Sequence, residues 1–423
     1  MKTIQEMLQE LSQCIVTVSG EFRFRTNWNG GKVPQPDLDV FDPNVPFCIE
    51  NVGDVPVEIG LYNTGKSAAR SNCKISTNLK TWSDYNLVLT DDDTSNDISK
   101  ISLQNKGDRV YIKADRVPIG EYAPYPTPCT RFKVFNQSEI TKIRARGNID
   151  SLNHGTDDLY KTSYLTVNNK NDSYCYKSMF QGCTSLTQAP ELPATTLAYG
   201  CYYSMFEGCT SLTQAQELPA TKLASYCYNR MFVRCTSLTQ APELPAMALD
   251  SNCYYYMFQG CTSLTQAPKL PATKLASYCY GSMFYGCTSL IQAPELPAMA
   301  LNYDNCYNSM FSGCTSLTQA PELPATTLSD GCYKSMFYGC TSLTQAPELP
   351  AKQLPEECYM YMFYNCSKLN YVKCLATDIL AHNCTRNWLY NVSSTGDFYT
   401  PASTTWPSGT SGIPYGWTRH DIT

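Results

Sequence analysis

The residues best suited to chemistry in this sequence are its cysteines, which number 22 in 423 residues. Sixteen of them form eight pairs in which the two cysteines lie eight residues apart. On a helix that spacing corresponds to about 12 Å, which exceeds the roughly 7 Å limit for a disulfide, and zinc sites need closer pairs. We therefore predict buried free thiols that pack as small apolar groups, without a metal. The first members of this expected core ladder are Cys175, Cys183, Cys201, Cys209, Cys227 and Cys235.

No arrangement of side chains in the sequence is typical of a catalytic site. The three histidines, His154, His382 and His420, lie away from any cysteine or serine motif that would pair a nucleophile with a base. A glutamate recurs in most repeats, but carboxylate catalysis needs two groups in different environments across a cleft. The glutamates are therefore predicted to line a solvated face, and we expect no enzyme activity, no catalytic residue and no cofactor. The recurring glutamates are Glu191, Glu217, Glu243, Glu295, Glu322 and Glu348.

These residues are positioned by an internal repeat. The block CY-x-x-MF-x-G-C-TSLTQAPELPA recurs every 26 residues, with a single interval of 27. Because one such unit cannot bury its apolar face alone, a strict period of this length predicts a solenoid of stacked units. The first cysteine of each unit is Cys175, Cys201, Cys227, Cys253, Cys279, Cys306, Cys332 or Cys358, and Cys384 marks a ninth, degraded unit.

The first half of each unit predicts a short helix. Cys175, Met179 and Cys183 are spaced at i, i+4 and i+8, which places them on one helical face. Gly182 and its equivalents follow at the position where a left-handed residue ends a helix. A serine, as at Ser225, stands where an N-cap would begin one.

The second half of each unit predicts a short strand. Leu186, Ala189 and Leu192 are its first candidates for the interior, followed by Leu197. Prolines interrupt this half, as at Pro190, and lack the N–H that a longer strand needs. We expect strands of about three or four residues, stacked in parallel with those of neighbouring units.

The wording MF-x-GC-TSL, LPA and a following leucine resembles the BspA-like leucine-rich repeats of surface proteins from gut and oral anaerobic bacteria and of proteins from their phages. The likeness covers about residues 140–423, and the ending STGDFYTPASTTWPSGTSGIPYGWT resembles the usual C-terminal cap of such chains. The resemblance implies adhesion or surface attachment without catalysis.

The start of the sequence bears on where such a protein would act. MKTIQEMLQELSQCIVTV lacks the apolar stretch and cleavage site of a secretory signal, and no apolar run approaches the ~18 residues that cross a bilayer. Free thiols fit a reducing compartment. We therefore expect no membrane insertion and a virion protein of the phage fibre or decoration type, assembled in the host cytoplasm. A bacterial cell-surface adhesin and an intracellular protein-binding scaffold are the alternatives.

Residues 1–18 predict an amphipathic helix, because their apolar residues follow helical spacing opposite a Gln/Glu face. This helix either packs on its own domain or serves attachment and oligomerisation, with other virion proteins or further copies of the chain as partners. A homo-oligomer or multi-copy assembly is expected. The apolar residues are Ile4, Met7, Leu8, Leu11 and Ile15.

Composition limits the partners. The net charge of −5 and the pI near 5.4 provide no basic surface for nucleic acid, whereas tyrosine is abundant and offers rigid contact area with a polar tip. Tyrosines in the variable first half of the units predict a binding surface for a host-surface glycan or protein. The constant Thr187-Gln188 ladder is a rival face, suited to a repetitive polymer. The candidate binding tyrosines are Tyr203, Tyr255, Tyr256, Tyr285, Tyr338, Tyr361 and Tyr364.

The region before the repeats has a different pattern. Short alternating segments such as VPVEIGLY and RVYIKA, separated by turn signals such as Asn29-Gly30-Gly31, predict about seven strands in a β-sandwich-like domain. The overall prediction is an α+β fold. Its parts are the N-terminal helix over 1–18, the sandwich-like domain over 19–150, a leucine-rich-repeat solenoid of about nine units over 151–387 and a C-terminal cap over 388–423.

Overall fold

The computed structural model describes residues 15–18, 21–24, 46–64, 72–90, 97–114, 129–138, 140–146, 174 and 176–422. Contacts divide the chain into two compact units, Met1–Val40 and Phe41–Thr423. The described residues form strands and turns and contain no α-helix. The predicted α+β class is therefore wrong, and the described fold is all-β. Among these residues, accordingly, no helix is long and apolar enough to span a bilayer.

In the compact unit Met1–Val40, strand β1 (Ile15–Val18) pairs with strand β2 (Glu21–Phe24) in an antiparallel hairpin. Ile15 is paired with Phe24, so the helix predicted over 1–18 is wrong at its C-terminal end. The physical reason is that β1 consists entirely of β-branched residues, which favour strands over helices. The other residues of the predicted apolar face lie outside the described residues; they are Ile4, Met7, Leu8 and Leu11.

The second unit begins with nine strands in two sheets. They are β3 (Phe47–Asn51), β4 (Val57–Thr64), β5 (Asn72–Ser76), β6 (Ser83–Asn86), β7 (Val88–Leu89), β8 (Ile101–Leu103), β9 (Arg109–Ala114), β10 (Cys129–Val134) and β11 (Ile143–Arg146). One sheet has the order β11-β3-β9-β5-β6, and the other has the order β10-β4-β7, with β8 also paired to β4. Side chains of both sheets, such as Ile49 and Ile59, share one apolar core. The segment RVYIKA forms β9, and most of the segment VPVEIGLY lies in β4, as their alternation predicts.

The first sheet continues directly into the repeats. β11 pairs in parallel with β12 (Leu186–Gln188), the strand of the first repeat. The Thr187 hydroxyl donates a hydrogen bond to the carbonyl oxygen of Ile143 at 2.9 Å. The Phe180 ring lies 5.6 Å from the Phe132 ring. The N-terminal end of the solenoid is therefore covered by the preceding sheet.

Each repeat, which forms one coil of the solenoid, contributes a short extended segment parallel to that of the next coil. β13 (Thr196–Leu197) pairs with β14 (Lys222–Leu223), and several other coils meet through single bridges between glutamines. The predicted inward residues of the first coil are at most 2% exposed; they are Leu186, Ala189, Leu192 and Leu197. The predicted parallel stacking is therefore confirmed, but most of these strands are shorter than the predicted three or four residues, because many are reduced to one bridge. The bridged glutamines are Gln188, Gln214, Gln240, Gln266, Gln292 and Gln319.

The half of each coil predicted as a helix is a series of consecutive turns. We call residues 252–261 and their equivalents in the other coils the turn ribbon. The Met257 N–H donates to the carbonyl oxygen of Tyr254, three residues earlier, whereas the Phe258 N–H donates to the carbonyl oxygen of Met283 in the next coil, at 2.9 Å. An α-helix would bond each N–H to the residue four positions earlier. The predicted helix and its N-cap are therefore wrong, because bonds between coils replace bonds along a helix.

Left-handed residues recur at every fourth position of the turn ribbon. In 252–261 they are Asn252, Tyr256 and Gly260, with φ angles of 59°, 57° and 71°. The left-handed glycine predicted for most coils is thus confirmed, and Arg234 and Asn365 adopt φ of 58° and 61° where two coils lack it. A side chain in this conformation costs about 1–2 kcal/mol. The ladder of hydrogen bonds between coils stabilises it.

Two columns of stacked rings run through the interior of the solenoid. The rings of Tyr280 and Tyr307 lie 5.7 Å apart at 2°, and those of Phe284 and Phe311 lie 5.7 Å apart at 5°. We call the first set the interior tyrosines. The last of these tyrosines, Tyr359, stacks on Trp388, which is fully buried. The aromatic rings therefore form the continuous core that stacking of the coils requires.

The C-terminal end is a wider parallel sheet. Its strands are β15 (Gln345–Leu349), β16 (Tyr371–Cys374), β17 (Gly396–Pro401) and β18 (Trp417–Ile422), in that order. β17 and β18 are paired along all six residues. Trp388 stacks on Trp406 at 5.4 Å, so bulky rings close the core beneath these strands.

Candidate binding surface

Buried and outward side chains alternate in pairs along the turn ribbon. In 252–261, Tyr254 and Phe258 are buried, whereas Tyr255 and Tyr256 are half-buried at the surface. All seven tyrosines predicted as binding residues occupy outward positions. Tyr285 and Tyr338 are the most exposed, at 44% and 37%; Tyr203, Tyr255, Tyr256, Tyr361 and Tyr364 are half-buried. The structure brings some of them together and separates others.

The most regular group lies near the C-terminal end of the solenoid. The Tyr338 and Tyr364 rings are 4.8 Å apart at 3°, and the Tyr364 and Tyr390 rings are 4.5 Å apart at 16°. We call these three residues the tyrosine column. Tyr361 meets Tyr364 edge-on at 5.7 Å. Because the rings of the column cover one another's faces, they present mainly their edges and hydroxyl groups to solvent.

The backbone fixes the spacing of the tyrosine column. The Gly339 N–H donates to the carbonyl oxygen of Tyr364 at 2.7 Å, and the Asn365 N–H donates to that of Tyr390 at 2.8 Å. Beside the rings, the Asn391 amide donates to the Asn365 side-chain oxygen at 3.0 Å. The column is thus a preorganised polar surface, in which one coil supplies one phenol.

The central phenol of the column is neutral near pH 7, as an ordinary tyrosine is. Desolvation raises the pKa of Tyr364, and the neighbouring phenols of Tyr390 and Tyr338 raise it further. A neutral phenol can both donate and accept a hydrogen bond. The column therefore offers hydrogen bonds without charge.

A second group of tyrosines lies in the middle coils. The Tyr255 ring lies 4.1 Å from the Tyr256 ring and 5.7 Å from the Tyr278 ring. The guanidinium of Arg230 lies 5.8 Å from the Tyr256 ring. It also forms an ion pair with Glu207 of the preceding coil. Tyr255 also lies across Gly281, where a Cβ atom would come within 2.8 Å of the ring. Glycine at this position makes room for the ring.

Two of the predicted tyrosines lie apart from these groups. Tyr203 lies in the second coil, where the Lys177 ammonium is 5.1 Å from its ring. Tyr285 precedes the tyrosine column in the same position of the repeat, but Ser312 occupies that position in the intervening coil. Tyr390 completes the column and was not among the tyrosines predicted to bind. Its position 26 residues after Tyr364 was the signal that could have identified it.

The rival face carries repeated polar side chains beside the extended segments. The glutamines exposed there include Gln240 and Gln266, in adjacent coils. The glutamates Glu217, Glu243, Glu295, Glu322 and Glu348 are exposed, and Glu191 is half-buried. Each lies at the same place in its own coil. These carboxylates therefore lack the contrasting environments that a glycosidase pair needs.

The described histidines are also surface groups. His382 Nδ1 lies 2.8 Å from a carboxylate oxygen of Glu356, and His420 Nε2 lies 2.7 Å from one of Asp397. Both pairs are substantially exposed. His154 lies outside the described residues. The contacts of His382 and His420 are therefore ordinary surface hydrogen bonds.

The cysteine side chains that the structure describes are free and buried. In the repeats they lie between coils: the Cys209 thiol is 3.1 Å from the carbonyl oxygen of Phe180. Burial raises the pKa of the Cys183 thiol from 9.0 to about 12. Metals and electrophiles react with the thiolate, so these thiols are poorly reactive. The Cys175 side chain lies outside the described residues.

The thiols reach this arrangement without the predicted helix. The second cysteines of successive coils are neighbours, since Cys183 contributes to the raised pKa of Cys209 and Cys209 to that of Cys235. Within the residues that the structure describes, no group of three or more His, Cys, Asp or Glu side chains is placed to hold a metal ion.

Short parallel strands, closed into coils by turn ribbons and filled by leucines and rings, define a solenoid repeat protein of the leucine-rich type. A family model described as the BspA type leucine rich repeat region, in six copies, matches residues 130–239, 177–318, 228–370 and 282–394, which together exceed half of the chain. The chain belongs to this family of leucine-rich repeat proteins. The resemblance seen in the sequence is therefore confirmed.

Repeats of this family are generally non-enzymatic and indicate a surface or protein-binding repeat protein. No curated protein matches the chain, and no solved structure matches it.

Proposed function

We propose that this chain is a non-enzymatic adhesion protein that binds a host-surface glycan or protein through the outward face of its turn ribbons. The observation that carries the proposal is the tyrosine column, in which three phenols repeat at 4.8 Å and 4.5 Å. Rigid tyrosines give contact area at low cost in side-chain entropy.

The chemistry of the column favours a neutral, hydroxyl-rich ligand. Its outward groups are phenol hydroxyls, ring edges and the amides of Asn365 and Asn391. Such groups exchange hydrogen bonds with sugar hydroxyls without an opposite charge on the ligand. A glycan is therefore the first candidate, and a protein surface rich in polar side chains is the second.

The test is binding of the full chain to an array of host-surface glycans. Tyr364→Ala removes the centre of the column and should abolish retention on the glycan that the wild type binds. Tyr303→Ala is the control, since it removes an exposed tyrosine that is not among the candidate binding residues. A blank array for the wild type, or equal binding by both variants, would contradict the glycan proposal.

We propose a phage virion as the setting, in a fibre or decoration protein assembled in the host cytoplasm in several copies with other virion proteins. Support comes from the free thiols, such as Cys209 and Cys235, since reducing compartments keep cysteines unpaired. A bacterial cell-surface adhesin and an intracellular scaffold are the alternatives. Mass spectrometry of purified particles tests this setting, and absence of the chain from particles would exclude it.

A further inference from the structure

The two ends of the stacked strands are built differently. At the N-terminal end, β12 pairs with β11, so the outer edge of the first repeat strand is occupied. At the C-terminal end, β18 pairs with β17 along six residues. In the described part of the chain, no strand pairs with the other edge of β18. An edge of this length leaves a row of backbone N–H and C=O groups available to another chain.

The charges at the centre of β18 are complementary to those of a second, antiparallel copy of β18. The order of its residues is Arg419, His420, Asp421, and the Arg419 guanidinium donates to the Asp421 carboxylate at 2.7 Å. If two β18 strands pair antiparallel with the His420 residues opposite each other, Arg419 of each copy lies opposite Asp421 of the other. Opposite charges across a strand pair are favourable, and like charges are unfavourable. A shift of one residue would place Arg419 opposite Ile422 and lose both charge pairs.

The ring on β18 is suited to the same pairing. The His420 ring stacks on the Tyr399 ring of β17 at 4.4 Å and 13°. Its other neighbour across the sheet would come from a second copy. The pairing would therefore continue the ring stack as well as the sheet.

We propose that two copies of the chain associate through antiparallel pairing of their β18 strands, with the His420 residues on the two-fold axis. The pairing gives a closed dimer and not a longer chain of copies, because both copies use the same edge. Head-to-tail stacking would need the outer edge of β12, which β11 occupies. This dimer specifies the multi-copy assembly expected from the sequence, and it does not rest on the ligand proposed for the tyrosine column.

The first test exchanges charges in the full chain. In sedimentation equilibrium, the wild type should approach twice its mass of 47.3 kDa as concentration rises. Asp421→Arg alone and Arg419→Asp alone should lose the dimer, because each places like charges across the pair. Mixing the two variants should restore the doubled mass, since each then meets the opposite charge.

A wild type that stays monomeric at all concentrations overturns the proposal and leaves the edge to a different polypeptide. So does a mixture that fails to recover the dimer while both variants keep the wild-type circular dichroism spectrum. Arg419 also donates to the carbonyl oxygen of Thr404, so its variant could fail to fold. A second measurement covers that case.

The second test uses a cross-link. His420→Cys places two thiols directly opposite each other, where Cβ atoms in an antiparallel pair are about 4.5–5.5 Å apart. Thr418→Cys is the control: the two copies of residue 418 would lie about 13 Å apart along the strands, beyond disulfide reach. Under mild oxidation, the first variant should become a covalent dimer and the second should remain monomeric. Equal cross-linking of the two, or none of either, rejects the proposed register.

Discussion

The sulfur of Cys261 lies 3.0 Å from the carbonyl oxygen of Phe232, which is 29 residues earlier in the chain. The same contact recurs between Cys287 and Phe258 at 3.1 Å. Each thiol thus joins one turn ribbon to the ribbon before it. Because this contact recurs from coil to coil, a small, weakly polar side chain such as cysteine suits the position.

Replacement of that thiol should weaken the contact between two coils. Cys261→Ala removes a buried sulfur and its weak hydrogen bond, and we expect it to lower the free energy of unfolding by about 1–2 kcal/mol. Urea unfolding of the full chain measures this loss. Thr262→Ala, at the neighbouring exposed residue, should be close to neutral. Equal effects of the two would show that the thiol contributes nothing specific.

Alkaline pH should unfold the solenoid. Burial raises the pKa of Cys287 and of Cys366 from 9.0 to about 12. The unfolded chain loses these protons near pH 9, whereas the folded chain keeps them until about pH 12. Their contribution to stability is therefore complete below pH 9 and is lost as the pH rises towards 12. The urea midpoint, measured as a function of pH, should fall steeply across that interval; a flat profile would show that the thiols are not buried in solution.

Removal of an interior hydroxyl should not harm the fold. The Tyr254 hydroxyl is buried and has no hydrogen-bond partner among the described residues. A buried polar group without a partner costs free energy, so Tyr254→Phe should leave the free energy of unfolding unchanged or raise it by about 1 kcal/mol. Thermal unfolding monitored by circular dichroism measures the change.

The matched control for that substitution lies in the strands that precede the repeats. The Tyr85 hydroxyl accepts a hydrogen bond from the Leu61 N–H at 3.0 Å. Tyr85→Phe leaves that donor unpaired and should cost about 1–3 kcal/mol. If Tyr254→Phe destabilised the chain as much, its hydroxyl would have to be hydrogen-bonded in solution.

Gly281→Ala should displace the Tyr255 ring. An added Cβ atom would lie 2.8 Å from the ring, and the glycine itself is not left-handed. We expect overpacking to lower the free energy of unfolding by about 1–3 kcal/mol. The near-ultraviolet circular dichroism spectrum should also change, because the tyrosine ring moves. The double variant Gly281→Ala, Tyr255→Ala relieves the contact and should recover the stability of Tyr255→Ala alone. Failure to recover it would place the strain elsewhere.

The period and the interior leucines could be predicted from the sequence, because each coil must bury the same face. The same spacing misled the prediction of a helix. Residues at i, i+4 and i+8, such as Cys253, Met257 and Cys261, share a face in a turn ribbon as they do in a helix. Asn252, Asn305 and Asn383 were a usable sign, since asparagine accepts left-handed φ. Their recurrence before the first cysteine of a coil favours turns.

The grouping of the surface tyrosines could be predicted only in part. A repeat of 26 residues places Tyr338, Tyr364 and Tyr390 in one column. The contact of Tyr255 with Gly281 depends on side-chain direction, which the period does not specify. That no described strand pairs with the outer edge of β18 depends on strand pairing outside the repeat, and no local pattern indicates it.

The pairing of β11 with β12 has a consequence for biosynthesis. A lone coil has nothing to stack on and cannot bury its apolar face. Here the strands that precede the repeats in the chain offer β11 to the first coil. Each later coil then finds its predecessor already folded. Each coil can therefore stack on its predecessor during translation, so that the last coil made presents its apolar surface to the next.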